Sequence, residues 1–172
     1  MIGTEAYFIR HGIAIARNGE RADEVRFLTP KGIDKTRQVA ERLRDQGLQF
    51  DTLLTSPLVR AQQTAEILRA AGLSTQVEEF SSLRPGGELS DWLAWLEKWQ
   101  QARPDGQSVA LVGHEPDLSQ WAQHLVTGSD RLSQSRPWIL KKAGIIGLQV
   151  PAARRALGGS QLFWLSPPRF LR

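Results

Sequence analysis

The stretch Tyr7-Phe8-Ile9-Arg10-His11-Gly12 is an apolar run that ends abruptly in an arginine, a histidine and a glycine. This pattern predicts a buried strand that delivers Arg10 and His11 to an anion-binding pocket at the edge of a sheet. Such a short motif occurs in many contexts and is weak support by itself. Its meaning depends on whether the rest of the chain places matching residues at matching structural positions.

The composition of the chain is that of a soluble globular protein. It has 172 residues, of which 41% are hydrophobic and 23% are charged, and we expect residues 1–172 to form one domain. The net charge of +4 favours anionic partners, although extra arginine on a solvated surface explains it equally well. The chain has no cysteine, which excludes disulfides, thiol catalysis and thiolate metal sites.

The sequence shows no sign of a membrane or secretory segment. Glu5, Arg10 and His11 interrupt the N-terminal region, which therefore lacks the apolar core of a signal peptide. No stretch approaches the roughly 18 consecutive apolar residues of a membrane span. We therefore expect a cytoplasmic protein without membrane contact. Nucleic acid is not an expected partner, because no basic stripe is interleaved with aromatic residues.

Hydrophobic periodicity predicts six strands and four helices. The predicted strands cover residues 5–10, 51–55, 74–80, 108–112, 144–150 and 161–165. The predicted helices begin near Thr29-Pro30, Ser56-Pro57, Ser90 and Asp117, where the first two show a cap residue followed by proline. Strands and helices alternate over the first 126 residues, which indicates a mainly parallel sheet, and the last two strands predict an antiparallel edge. The expected fold is therefore α/β, a three-layer α/β/α sandwich with a sheet of about six strands.

Two segments need the structure to decide their role. The third helix, near residues 90–101, carries a row of tryptophans at helical spacing: Trp92, Trp95 and Trp99. This row favours a helix packed on the sheet over an exposed docking stripe for a partner. The basic end of the chain, residues 167–172, is expected to be a loose tail.

Polar side chains follow three of the predicted strands. Arg10 and His11 come directly after the first strand. Arg60 lies in the first turn after the second strand, and His114 follows the fourth. Because ligands of open α/β sheets bind at the carboxyl ends of the strands, we expect these residues to share one pocket. Two arginines can grip a phosphoryl group, and a histidine can act as a nucleophile, whereas two histidines without a third ligand make a poor zinc site.

These residues resemble the motifs of the histidine phosphatase superfamily, which has the phosphoglycerate mutase-like fold. Arg10-His11-Gly12 resembles the signature triplet of that family. The segment 54–66 resembles the second-arginine motif, and Val112-Gly113-His114-Glu115-Pro116 resembles the second-histidine motif. Together with Leu28-Thr29-Pro30-Lys31-Gly32, the resemblance extends from residue 5 to about residue 126.

Within this family the chain looks most similar to SixA-type phosphohistidine phosphatases. The resemblance implies that His11 is a transiently phosphorylated nucleophile and that Arg10, Arg60 and His114 complete the phosphate pocket. It also implies that no metal or organic cofactor takes part. The implied partner is a phosphohistidine-bearing protein, such as a phosphotransfer domain of a signalling relay. Two alternatives stay open, a phosphatase for a small phosphate ester or anhydride and a phosphoprotein-binding module without turnover.

The chain departs from the family pattern at the general acid. Many members carry a glutamate in a Leu-Arg-Glu sequence, whereas here Leu83-Arg84 is followed by Pro85, which cannot donate a proton. Glu88 and Glu115 are the nearby substitutes. A missing acid costs about 10²–10⁴-fold when an unactivated alkoxide has to leave. An imidazole leaves far more readily, so the departure favours phosphohistidine over a sugar phosphate and counts against mutase activity.

Overall fold

The computed structural model describes residues 3–19, 22–103, 107–129 and 138–172. Its six strands are β1 (Thr4–Arg10), β2 (Thr52–Thr55), β3 (Val77–Glu79), β4 (Ser108–Gly113), β5 (Ile145–Val150) and β6 (Gln161–Ser166). Its four α-helices are α1 (Pro30–Asp45), α2 (Val59–Ala70), α3 (Leu89–Ala102) and α4 (Asp117–Thr127). No helix in these ranges is long and apolar enough to cross a membrane.

The six strands form one mixed sheet in the order β3-β2-β4-β1-β5-β6. The pairs β2–β3, β2–β4 and β1–β4 are parallel. β5 runs antiparallel to β1, and β6 runs antiparallel to β5. The predicted parallel sheet with an antiparallel edge is therefore confirmed.

The two faces of the sheet pack against different helices. Alternate side chains of β1 point to opposite faces, so Phe8 joins one core cluster and Tyr7 and Ile9 join the other. The Phe8 cluster contains buried residues of α3 and α4, and the Tyr7 cluster contains buried residues of α1 and α2. This arrangement is the expected three-layer sandwich. Its third helix buries Trp92 and Trp99 in the Phe8 cluster, so the tryptophan row is mainly core.

Three local predictions were wrong. The second helix begins at Val59 rather than at Ser56-Pro57. Ser56 is buried at the sheet edge, where its hydroxyl bonds to His114 and accepts from Leu58 N (3.2 Å), the residue before the helix. The third strand is limited to Val77–Glu79 rather than residues 74–80. The chain end is not loose, because residues 168–170 form a 3₁₀ turn and Leu171 is buried in the Tyr7 cluster.

The start of α1 holds the loop that follows β1. The Thr29 side chain accepts a hydrogen bond from Gly32 N (3.0 Å), which is the N-cap that the sequence predicts. A Cβ atom at Gly32 would collide with the carbonyl oxygen of Ile13, and one at Gly12 would collide with the hydroxyl of Thr36. Both glycines therefore let α1 approach the backbone next to His11.

Candidate active site

The sheet brings Arg10, His11 and His114 to one edge. β1 and β4 are neighbouring parallel strands in which Arg10 pairs with Gly113, and His11 N donates to Gly113 O (3.1 Å). His11 and His114, the residues directly after these two strands, therefore lie side by side at the sheet edge. The centroids of their imidazole rings are 5.2 Å apart. β2 lies on the other side of β4 and leads into the helix that carries Arg60. The fold thus brings all four residues named from the sequence to one edge of the sheet.

The hydrogen bonds of His11 define its tautomer. Its Nδ1 lies 2.7 Å from Gly12 O. Because a carbonyl oxygen only accepts, Nδ1 carries the proton and Nε2 keeps its lone pair. Nε of Arg60 donates to Nε2 from 3.3 Å. Burial lowers the pKa of His11 to about 3, and the charges of His114, Arg60 and Arg10 act in the same direction. The hydrogen bond to Gly12 opposes this shift.

His114 is also buried and neutral. Its Nε2 lies 2.7 Å from the hydroxyl oxygen of Ser56, the residue directly after β2. Burial and the nearby Arg60 cation lower the pKa of His114 to about 4, although the Asp23 carboxylate opposes this shift. Because both imidazoles are neutral, the arginines carry the positive charge of the site.

The two arginines are fixed by main-chain carbonyl groups. Nη1 of Arg10 donates to Leu140 O (3.0 Å) in the segment before β5. Nη1 of Arg60 donates to Asp23 O (2.6 Å) in the loop after β1. Arg60 is almost fully buried, with 3% of its surface exposed, whereas Arg10 is half-buried. Two guanidinium groups are therefore held at the same sheet edge as His11.

Asp23 is a member of the site that the sequence analysis missed. Its Oδ2 accepts from Nη2 of Arg60 (2.8 Å), and its Oδ1 accepts from Arg26 (2.7 Å) and from Arg17 (2.9 Å). Burial opposes ionisation, but these hydrogen bonds from Arg26, Arg60 and Arg17 hold the pKa of Asp23 well below its usual value. No periodicity marks this loop. The only signal in the sequence was the length of this loop, which follows a strand that ends in charged residues.

Thr64 is a second residue that the sequence analysis did not place in the site. Its hydroxyl accepts from Gly12 N (3.0 Å) and donates to the carbonyl oxygen of Arg60 (2.8 Å). This single buried hydroxyl therefore links the backbone beside His11 to the helix turn that carries Arg60. The spacing of Arg60 and Thr64, four residues apart on one helix, is the signal that could have indicated the link.

The two substitute acids have different positions. Glu115 is half-buried at the start of α4, where its oxygens accept from Ser119 N (3.0 Å) and Ser119 Oγ (2.6 Å). Burial raises the pKa of Glu115, with the Ser119 hydrogen bonds and Arg10 opposing the shift. Glu88 is exposed just before α3, and no hydrogen bond or ion pair of the described residues joins it to the pocket. The structure thus brings Glu115, and not Glu88, near the site.

The histidines and carboxylates of the pocket do not form a metal-binding cluster. Within the described ranges, no group of three or more His, Cys, Asp or Glu side chains has the geometry to hold a metal ion. The two imidazoles are bonded to Gly12 O and to Ser56 Oγ. The donors at this edge are cationic or neutral N–H groups, which suit an anion.

Comparison with known proteins gives the same family as the motifs. A family model described as the histidine phosphatase superfamily (branch 1) matches residues 6–85, a region that contains Arg10, His11 and Arg60 and ends before His114. An uncharacterized protein of Picosynechococcus sp. is 49% identical over 168 residues, which cover 97% of this chain and 98% of the relative.

The chain is similar in sequence to a protein called SixA and similar in fold to a solved SixA structure. The phosphohistidine phosphatase SixA of Escherichia coli is 30% identical over 126 residues, which cover 72% of this chain and 75% of that protein. The solved structure of the protein histidine phosphatase SixA complexed with tungstate has a TM-score of 0.82 at 25% identity, covering 98% of this chain and 99% of that one. By family model, relatives and shared fold alike, the chain belongs to the histidine phosphatase superfamily.

Proposed function

We propose that this protein is a phosphatase in which His11 carries the phosphoryl group between substrate and water. The observation that carries the proposal is the state of Nε2 in His11, which keeps its lone pair because Nδ1 donates to Gly12 O. A neutral imidazole with a fixed tautomer is ready to attack phosphorus without losing a proton first. Nε of Arg60, 3.3 Å from that nitrogen, lies where an oxygen of the transferring group would need a donor.

The reaction proceeds in two displacements. In the first, Nε2 of His11 forms a bond to phosphorus while the bond from phosphorus to the leaving atom breaks. In the second, water attacks phosphorus, the N–P bond breaks, and inorganic phosphate leaves neutral His11 behind. Arg10, Arg60 and His114 stabilise the charge on the transferring oxygens in both steps.

Two buried nitrogen atoms support a phosphate pocket. Nε of Arg10 and Nδ1 of His114 have no hydrogen-bond partner within the described parts of the chain. A buried polar atom without a partner costs about 1–3 kcal/mol, so a ligand stabilises the folded protein if it supplies an acceptor to Nε of Arg10. The same holds for Nδ1 of His114 when the Ser56 hydroxyl donates to Nε2 and the ring proton therefore lies on Nδ1. A phosphoryl group has such acceptors, and the two arginines match its charge.

The substrate that we propose is a phosphohistidine residue of a protein, such as a phosphotransfer domain. A phosphorylated imidazole can take a proton from solvent at its second ring nitrogen and then leave as neutral imidazole. It therefore does not need a buried general acid, which agrees with Pro85 at the position of the usual glutamate. The similarity to SixA of Escherichia coli, a phosphohistidine phosphatase, supports the same substrate class.

A rapid-quench labelling experiment, in which the reaction is stopped in alkali, tests the proposal. The protein is mixed with a ³²P-phosphohistidine protein and quenched at short times, with His11→Ala as the test variant and His124→Ala as the matched control. We expect alkali-stable, acid-labile label on the wild type and on the control, together with release of phosphate. A His11→Ala protein that dephosphorylates the substrate at the wild-type rate would show that His11 is not the nucleophile. A parallel panel of sugar phosphates and nucleotides tests the small-molecule alternative, which faster hydrolysis of one such ester would favour.

A further inference from the structure

A cleft of about 810 Å³ opens beside the candidate active site, and Arg10 is one of its lining residues. Its walls come from α1, from the segment before β5, and from the end of β6 with the turn that follows. We call it the basic cleft after its six cationic residues, which are Arg10, Lys35, Lys141, Lys142, Arg169 and Arg172. No aspartate or glutamate is among its described lining residues.

The cations of the basic cleft repel one another, and among them only Arg10 has a described carboxylate, Glu115, that acts on its pKa. None of them takes part in an ion pair with a described residue. Burial and the charges of Arg172 and Lys31 lower the pKa of Lys35. Burial and the charges of Arg10, Arg26 and Arg60 likewise lower the pKa of Lys142. Gathering like charges in this way opposes folding, and a bound polyanion would relieve the repulsion.

The basic cleft also exposes large apolar side chains between its charges. Ile139 and Phe170 are each 67% exposed, and Leu165 is 37% exposed. The Arg169 guanidinium lies 4.8 Å from the centre of the Phe170 ring. A small phosphate would use only the cations. A polypeptide segment that carries both acidic and apolar side chains would use the whole surface.

The position of the cleft residues is set by the fold. Leu171 is 2% exposed in the core, so the residues on either side of it, Phe170 and Arg172, are held in place. Ala143 N donates to Arg10 O (3.0 Å), which fixes the preceding lysine next to the end of β1. The cleft is therefore prepared before a partner arrives, which reduces the entropy lost on binding.

We propose that the basic cleft binds an acidic, partly apolar segment of the phosphorylated protein, next to the residue whose phosphoryl group enters the pocket. The proposal rests on the proposed function for the identity of that protein as a substrate. It adds that sequence around the phosphorylated residue, and not the phosphoryl group alone, determines which protein is dephosphorylated. Specificity then comes from charge complementarity with the cleft.

Two phosphohistidine peptides of equal length test the proposal. One carries glutamate and leucine around the phosphohistidine, and the other carries glutamine in place of each glutamate. We expect the wild type to have a higher kcat/KM for the acidic peptide. In the double variant Lys141→Glu/Arg169→Glu this preference should fall roughly tenfold, the scale of two exposed charge pairs. Lys98→Glu, an exposed charge reversal on α3, is the matched control and should keep the preference.

Further outcomes would overturn the proposal. The proposal fails if the wild type turns over both peptides equally well. It also fails if Lys98→Glu reduces the preference as much as the double variant does. If the double variant lost activity only toward small phosphates that carry a second anionic group, the cleft would bind a small polyanion instead.

Binding of the unphosphorylated acidic peptide, measured by fluorescence anisotropy, separates the cleft from catalysis. If the wild type binds this peptide and the double variant does not, the cleft is supported even if the protein proves inactive. If neither protein binds it while the wild type remains an active phosphatase, the cleft proposal fails and the proposed function stands.

Discussion

Asp23 holds the buried guanidinium of Arg60 by two separate contacts, one from its main-chain oxygen to Nη1 (2.6 Å) and one from Oδ2 to Nη2 (2.8 Å). Both contacts lie on the Nη side of the group, which leaves Nε to face Nε2 of His11. Asp23 is therefore a positioning residue that orients the arginine and also balances its charge.

We expect Asp23→Ala to lower kcat/KM for a phosphohistidine substrate by about a hundredfold, the usual cost of a misplaced catalytic group. Asp23→Asn should retain much more activity, because its amide oxygen can still accept from Nη2. Steady-state kinetics of the two variants check this order. If Asp23→Asn were as damaging as Asp23→Ala, the charge of Asp23 and not its orienting contact would be the important property.

The sequence predicted the four pocket residues because each follows a strand or opens a helix, and the ends of parallel strands meet at one edge of a sheet. Asp23 could not be predicted in the same way. It lies in a long loop whose path depends on contacts with α2, 37 positions away along the chain. Ser56 was interpreted as a helix cap, because its partner His114 follows a different strand, and the sequence pattern does not show that the two residues meet.

The pH dependence of stability should report the neutral state of the two buried histidines. Their pKa values, about 3 for His11 and about 4 for His114, lie below the unfolded value of about 6.5. As pH falls below 6.5, the unfolded chain binds protons that the folded protein does not. The free energy of unfolding therefore has its full value above pH 6.5 and decreases toward pH 4, by roughly 1.4 kcal/mol per pH unit for each histidine.

Urea unfolding between pH 7.5 and 5 measures this decrease. His11→Asn should remove about half of the slope, and His124→Asn, a histidine of α4 outside the pocket, serves as the matched substitution. A slope unaffected by His11→Asn would mean that the folded protein protonates His11 as readily as the unfolded chain does, contrary to its burial.

The leaving group should control the rate of hydrolysis. The position of the usual general acid is Pro85, and both carboxylate oxygens of Glu115 are engaged by Ser119. We therefore expect phosphohistidine and aryl phosphates to be hydrolysed roughly 10²–10⁴-fold faster than alkyl phosphates. The ratio of the two rates should be the same in Glu115→Gln and Glu88→Gln as in the wild type. If Glu115→Gln slowed alkyl phosphates alone, Glu115 would be a general acid after all.

The end of the chain shows where sequence patterns fail in the fold itself. Residues 167–172 contain two prolines and two arginines, a composition typical of an exposed tail. Burial of one residue, Leu171, in the core anchors the whole segment, and a single leucine has no periodicity that a pattern could detect. The strands β1, β2, β4 and β5 were easier to predict, because each is a continuous run in which several buried positions support the same interpretation.

Gly32 provides a test of the contact between α1 and the loop beside His11. In an exposed helix, replacing glycine by alanine normally stabilises a protein by about 0.5–1 kcal/mol. At Gly32 the added Cβ would meet the main-chain oxygen of Ile13, which cannot move without shifting the backbone next to His11. We therefore expect Gly32→Ala to lower the free energy of unfolding by roughly 1–3 kcal/mol, as overpacking does elsewhere. Lys31→Ala, an exposed substitution one residue earlier in the same helix, should change it by less than about 0.5 kcal/mol. Chemical denaturation of the two variants measures both effects, and a Gly32→Ala protein that is more stable than the wild type would show that α1 does not approach Ile13 this closely.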